Sequence, residues 1–340
     1  MLAFTFPRAL AALCVVGVLL GCVPGAADQS RAAPITLKVA TPPNITNAPL
    51  YVADAEGYFA EQNITIEFVK IARTPDGLPP LLQGGVDVLV GTVSIGLLSA
   101  IAREDGVKIV GDRGYVDADT CVYSALIARK ALVDNGELAG VAQLRGKRIA
   151  FNMGGFEQYF VERVLAEGGL NLDDITVVDI PDAAEPQALK DGSIDLAYSS
   201  EPALTQVVET GDAVLWKTVQ QTVPGFQFGV LVYGANLLQQ NPDAGMRFMA
   251  AYLKAVQRIN RGKLDRDAQT VSAHLELDPA LVSRVCWSTF RNGGNINAES
   301  LVDFQNWAVE RGLLDAAVGP QRFWEPRFVD RANQMLEKIS

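Results

Sequence analysis

Histidine is nearly absent from this chain. Its 340 residues include one, His274, which excludes most zinc sites, Ser-His-Asp triads and Cys-His pairs at once. His274 lies in AQTVSAHLELD, a helical stretch, and reads as a helix-surface residue. Cysteine is scarce. Cys14 and Cys22 lie in the N-terminal run, and Cys121 and Cys286 in the body. Two isolated cysteines make no disulfide framework, so buried free thiols are expected rather than a bridge. Basic clusters are missing, and the formal net charge is -10. Nucleic acid, which needs a basic face, is therefore not an expected partner. After Cys22 no apolar run approaches the roughly 20 residues that span a bilayer. No solenoid-period repeat is visible.

What is present begins with a leader. Arg8 precedes the apolar run Ala9 to Leu20, which ends in Leu19-Leu20-Gly21-Cys22. A short apolar stretch followed by small residues is a signal peptide, here 1–21. Leu-Leu-Gly-Cys resembles the bacterial lipoprotein box, in which the Cys becomes the first mature residue and carries lipid. The plainer alternative is a secretory signal with an incidental Cys. Residues 22–34 have no packing pattern and read as a tether. The expected location is the extracytoplasmic face of the cell membrane, with the lipid on Cys22.

The stretch TPPNITNAPLYVADAEGYF, Thr41 to Phe59, organises the rest of the chain. A β-rich run, Ile35 to Ala40, leads into a polar proline-containing loop and then a helix. Asn47 is its candidate N-cap and Pro49 sits in its first turn. That arrangement puts side-chain amides and backbone N–H groups at the carboxyl edge of a sheet, where open α/β sheets bind small ligands. Further strands are expected at 64–69, 86–90 and 107–110. A second series holds strands at 122–128, 147–151, 175–180, 194–198 and 214–216, with helices at 156–168 and 201–210. Phe226 to Tyr233 reads as a strand crossing back, and from Pro242 the pattern turns helical. Met246, Met249, Leu253 and Val256 line one expected face, Leu281, Val285 and Phe290 another, and Leu301, Phe304 and Ala308 a third. The expected organisation is a first lobe from 35–121, a second from 122–228, and a return with C-terminal helices over 229–340.

The two series echo each other, LLQGGVDVLVGTVS in the first matching ALKDGSIDLAYSSEP in the second. With LYVADAEGYFAEQNI, QLRGKRIAF and GSIDLAYSSEPALTQVVETGD, in this order from Ile35 to Asp212, the chain resembles the substrate-binding proteins of bacterial ABC importers. The group is the one that takes up nitrate, alkanesulfonates, taurine, thiamine-pyrimidine precursors and riboflavin. The resemblance implies an α/β, two-lobe periplasmic-binding-protein (type II) fold with a helical C-terminal tail. It also implies a small-molecule ligand between the lobes and, as partners, the permease and ATPase subunits of an importer. No cofactor is expected. Pyrimidine-binding relatives tend to carry a His where this chain has Asn47, and the yeast pyrimidine-synthesising enzymes of the same fold need that His and a cysteine-rich motif. Their absence argues against an enzyme.

The candidate residues suit two ligand classes. For an oxyanion, Thr92, Val93 and Ser94 at one helix N-terminus and Gly154 and Gly155 at another would supply N–H groups. For an aromatic ligand, Tyr51, Phe156 and Tyr159 would stack, with Asn44, Asn47, Thr74 and Glu201 as polar contacts. For Ser94 the plainer role is helix capping, and for Tyr51 and Phe156 core packing. A cleft carboxylate at Glu201 would repel sulfonate or nitrate, which tips the expectation toward a neutral heterocycle such as riboflavin or a pyrimidine vitamin precursor.

Overall fold

β-branched runs become strands and the amphipathic runs between them helices in the computed structural model, which describes residues 1–3, 5, 33–181 and 184–338. The leader from residue 6 on, the lipobox and Cys22 lie outside the described residues. One sheet holds β1 (Ile35–Thr41), β2 (Ile64–Lys70), β3 (Val88–Thr92), β4 (Lys108–Tyr115) and β10 (Gln227–Tyr233), in the order β2-β1-β3-β10-β4. The other holds β5 (Ser124–Arg129), β6 (Arg148–Ala150), β7 (Thr176–Val178), β8 (Leu196–Ser200) and β9 (Ala213–Thr218), in the order β7-β6-β8-β5-β9.

The register explains how the sheets face each other. β1 runs parallel to β2 and β3, and β6 parallel to β7 and β8. The antiparallel members are β10, against β3 and β4, and β5, against β8 and β9. These are the strands that come after a crossing from one sheet to the other. A strand arriving from the opposite sheet enters at the carboxyl edge and must run backwards. The carboxyl edges of both sheets therefore flank the two crossings. Contacts agree: the Ile95 N–H donates to the Gly154 carbonyl at 3.0 Å, and Ser94 and Gly155 form a β-bridge.

Helices bury the sheets' other surfaces. The helix Pro242–Asn260 buries Phe248, Met249, Tyr252, Leu253 and Val256, and leaves Met246 half-buried. The expected face is thus rotated toward the two aromatics, each worth about 1.5–3 kcal/mol when fully buried. The helix Ala298–Glu310 packs Leu301, Phe304 and Ala308 inward as expected. The middle expectation fails. The helix Pro279–Arg284 stops before Val285, and the segment through Phe290 is irregular.

That irregular segment carries a covalent link. Cys121 and Cys286 form a disulfide, Cα–Cα 5.7 Å, so the expectation of free thiols is wrong. Sequence spacing could not show it, because the two lie 165 residues apart and meet only through the fold. Other boundaries move as well, two of them with consequences. β4 runs to Tyr115 rather than Val110, since its polar residues find partners inside. The helix expected from Glu201 begins at Ala203, after Pro202.

The helix Phe156–Glu167 is pinned to Ala298–Glu310 by a buried acid. Glu162 accepts from Gln158 Nε2 at 2.9 Å and from Trp307 Nε1 at 3.2 Å, and pairs with Arg311. Glu162→Ala would strand the indole N–H and lose a charge-assisted bond, a loss of about 2–3 kcal/mol. Urea melts check this, and Glu162→Gln should recover part of the loss.

Candidate functional site

At the carboxyl edge of β1 the chain turns through Pro42 and Pro43 and is locked by its own amides. Asn44 Oδ1 accepts from the Thr46 N–H at 2.9 Å and from the Thr46 hydroxyl at 2.7 Å. Asn47 Nδ2 donates to the Pro42 carbonyl at 2.6 Å. Asn47 precedes the helix Ala48–Ala55 but makes no side-chain capping bond. The cap of the preceding turn is Asn44, which corrects the expected N-cap role. Fixed in this way, Asn47 turns its Oδ1 inward.

It meets Arg113, which projects from β4. Arg113 is 1% exposed. Nη1 donates to Asn47 Oδ1 at 2.9 Å and to the Thr46 hydroxyl, Nε to the Gly91 carbonyl at 3.2 Å, and Nη2 to Thr92 Oγ1 at 3.3 Å. Every acceptor is a neutral oxygen. Among the described residues no carboxylate bonds to this guanidinium. The adjacent Asp112 is engaged elsewhere, accepting from Gln227 Nε2 at 2.6 Å and from the Arg291 N–H at 2.7 Å. Burial lowers the pKa of Arg113 from its ordinary value and raises that of Asp112, where the Gln227 and Arg291 bonds oppose it. An arginine stays protonated even so. A buried cation hydrogen-bonded only to neutral groups is costly, and an anion delivered beside it would recover that cost.

Residues of both series build an aromatic wall. Tyr123, just before β5, donates its hydroxyl to Asn44 Oδ1 at 3.0 Å and stacks on Phe228 with centroids 5.6 Å apart. Phe156 lies 5.9 Å from Phe228 and 4.9 Å from Phe226. Burial raises the Tyr123 pKa, and the nearby Arg113 charge opposes that rise.

The structure gathers Asn44, Asn47, Thr92 and Phe156 around this spot and assigns other work to the remaining candidates. The expected N–H cradle is occupied by the protein itself. Thr92 N–H donates to the Thr74 hydroxyl at 3.1 Å, and Val93 N–H to the Phe228 carbonyl at 2.8 Å. Gly154 N–H goes to Gln158 Oε1 at 2.8 Å, and the Ser94 hydroxyl caps Leu97 N–H at 3.3 Å. Gly155 is held in its bridge to Ser94. Tyr159 packs on Phe226, Phe304 and Trp307, toward the tail helix. Tyr51 stacks on His274 with centroids 4.1 Å apart, so His274 is a half-buried ring and not a helix-surface residue.

Glu201 accepts from the Thr205 hydroxyl at 2.7 Å, from Thr205 N–H at 3.2 Å, and from the Cys286 N–H. Burial raises its pKa, and these bonds pull the other way. Its carboxylate serves a helix start and the disulfide segment. Arg113, Thr46 and Tyr123 were not legible as site residues. Gly-Asp-Arg-Gly reads as an exposed charged turn until β4 is seen to carry it inside.

Comparisons with known proteins bear on the family and the fold. A family model described as "NMT1/THI5 like" matches residues 44–261. A protein named "Putative thiamine biosynthesis protein" from Haemophilus influenzae is 23% identical over 197 residues, 57% of this chain. The chain spans 59% of that relative's length. Among solved structures, the ligand-binding component of an ABC-type import system from Staphylococcus aureus, with zinc bound, superposes with a TM-score of 0.72 at 15% identity, covering 88% of this chain and 99% of the other. The periplasmic aliphatic sulphonate binding protein of Escherichia coli gives 0.70 at 17% identity, covering 86% and 93%. These likenesses show the periplasmic-binding fold.

Proposed function

This chain belongs to the NMT1/THI5-like family, and on that premise we propose that it is the extracytoplasmic ligand-binding component of an ABC-type importer. The observation that carries the reading is Arg113, buried between the β1 loop and the β4 end and bonded to neutral oxygens alone. A receptor that takes up an anion needs such a cation held ready, without an internal carboxylate to compete. The ligand is therefore a small organic or inorganic anion, of the alkanesulfonate, taurine or nitrate kind, held where the two carboxyl edges meet. The rival reading, a neutral heterocycle such as riboflavin or a pyrimidine precursor, rested on Glu201 as a cleft carboxylate. Its engagement with Thr205 and Cys286 removes that support.

No chemical step is needed. Two lobes that close on a ligand and open at the permease work by the difference in affinity between the two states. The permease and ATPase subunits are the proposed partners. The disulfide between Cys121 and Cys286 favours an oxidising compartment outside the cytoplasm. Among the described residues no helix is long and apolar enough to cross a membrane. Attachment is proposed through lipid on Cys22, which Cys22→Ser tests directly. That variant should move from the membrane fraction to the soluble fraction and lose palmitate labelling, and retention in the membrane would refute the anchor.

A melting-shift panel tests the ligand class. Binding only the folded state raises the melting temperature, so ethanesulfonate, taurine or nitrate should raise it, and riboflavin and pyrimidines should not. A shift by the neutral compounds alone would overturn the anion reading.

A further inference from the structure

The tail returns to the two crossings and touches both sheets there. The crossings are paired with each other: the Val116 N–H donates to the Phe226 carbonyl at 2.9 Å, and the Gly225 N–H to the Val116 carbonyl at 2.7 Å. Two paired segments between two lobes make a hinge. The Cys121–Cys286 disulfide joins the tail to the first of them. Residues 284–291 then reach in both directions. Toward the first sheet, the Tyr115 N–H donates to the Thr289 carbonyl at 3.2 Å, and the Arg291 N–H to Asp112 Oδ2 at 2.7 Å. Toward the second, the Cys286 N–H donates to Glu201 just past β8. Arg284 also forks onto Glu209, Nε to Oε1 at 3.0 Å and Nη2 to Oε2 at 2.9 Å.

The two ends of that fork belong to different lobes. Arg284 closes the helix Pro279–Arg284. That helix is held on the first lobe, because Lys263 donates Nζ to the Val285 carbonyl at 3.2 Å and follows the helix Pro242–Asn260. The latter donates the Tyr252 hydroxyl to the Asp112 carbonyl at 2.9 Å. Glu209 closes the helix Ala203–Glu209, which buries Leu204 and Val207 in a cluster with Ala125, Ile127 and Ala197 of the second sheet. The disulfide and the fork also differ in leverage. The disulfide sits on a crossing, where hinge motion displaces atoms least. Glu209 is about 9 Å along its helix from the end near β8.

We propose that Arg284 and Glu209 form a latch across the two lobes, made when they close and broken when they open. The pair sets the fraction of receptor that is closed before a ligand arrives. Both act as positioning residues, outside the Arg113 cluster. The latch rests on the two-lobe receptor reading and not on the charge of the ligand. A bond made in one state alone shifts the equilibrium by its own worth. The two side chains are 46% and 51% exposed, and a fork exposed to this degree changes the closed-to-open ratio about threefold. The same exposure keeps its share of overall stability small.

Small-angle scattering reads the closed fraction from the radius of gyration. The full chain carrying Cys22→Ser, which keeps it soluble, is dialysed free of ligand and measured beside three variants. Glu209→Arg sets two guanidinium groups against each other, and Arg284→Glu two carboxylates. Each should raise the radius while melting within a few degrees of the parent. The double variant Arg284→Glu/Glu209→Arg restores the pair in reverse and should return the radius to the parental value. An unchanged radius in both single variants overturns the latch, as does a raised radius that the double variant leaves raised. The scattering uses no ligand, so a melting panel in which nothing binds overturns the ligand reading alone.

Discussion

Arg113→Gln should lower affinity for the anionic ligand by more than about a hundredfold, roughly 3 kcal/mol or more, with the melting temperature of the unliganded protein held within a few degrees. The partners of the guanidinium decide both effects. Its acceptors are two hydroxyls, an amide oxygen and a backbone carbonyl, so removing the charge breaks no hydrogen bond to a carboxylate, and the neighbouring Asp112 keeps its own bonds to Gln227 and Arg291. That is the case in which deleting a buried ion is tolerated. Ligand binding has no such cushion, because the anion would enter a site with no cation. Arg113→Lys separates charge from shape. It keeps the charge but replaces a planar five-donor fork with three rotatable donors, so affinity should fall by about tenfold. Isothermal titration with the best ligand of the melting panel measures both. Equal affinities in all three proteins would remove Arg113 from the site.

Loss of the Cys121–Cys286 disulfide should be the most damaging change to stability alone. The bridge closes a loop spanning a sequence separation of 165, and cross-links over loops of that length restrict the unfolded chain by about 3–5 kcal/mol. Cys121 lies in the crossing between β4 and β5, and Cys286 comes after the helix Pro279–Arg284. The bridge therefore ties the crossing to the tail helices. In guanidinium the double serine variant should unfold at a lower midpoint with a larger m value, because the uncrosslinked unfolded chain exposes more surface. Its melting temperature should fall by on the order of 10 °C. A midpoint indifferent to reductant would contradict this.

The alternating β and helical runs were legible because hydrophobic period is a local property. The two-sheet organisation came from their order, and the return strand at Gln227–Tyr233 was visible as one long β-rich run. The site was half legible. Asn44, Asn47 and Thr92 stand where a polar loop after a strand puts them. Arg113 was not, since a charged residue beside Gly and Asp signals solvent unless long-range pairing buries it. Here β10 supplies that pairing from more than a hundred residues away, with Gln227 against Tyr115 and Asp112. The misreadings of Glu201, the Ser94 hydroxyl and the Gly154 N–H share a cause. Each had a local role and a ligand role, and the local one won through partners three or four residues on, Thr205 for Glu201, Gln158 for Gly154 and Leu97 for Ser94. Cys121 and Cys286 fail for a different reason, since they meet only through the fold.

Native mass spectrometry of the protein as it comes from the cells that express it, before any ligand is added, tests the central claim most directly. The account predicts a single adduct of one small anion per chain, chemically unchanged when released, and absent from Arg113→Gln purified in the same way. An adduct that persists in Arg113→Gln, or a released molecule that is uncharged or altered by the protein, would contradict it.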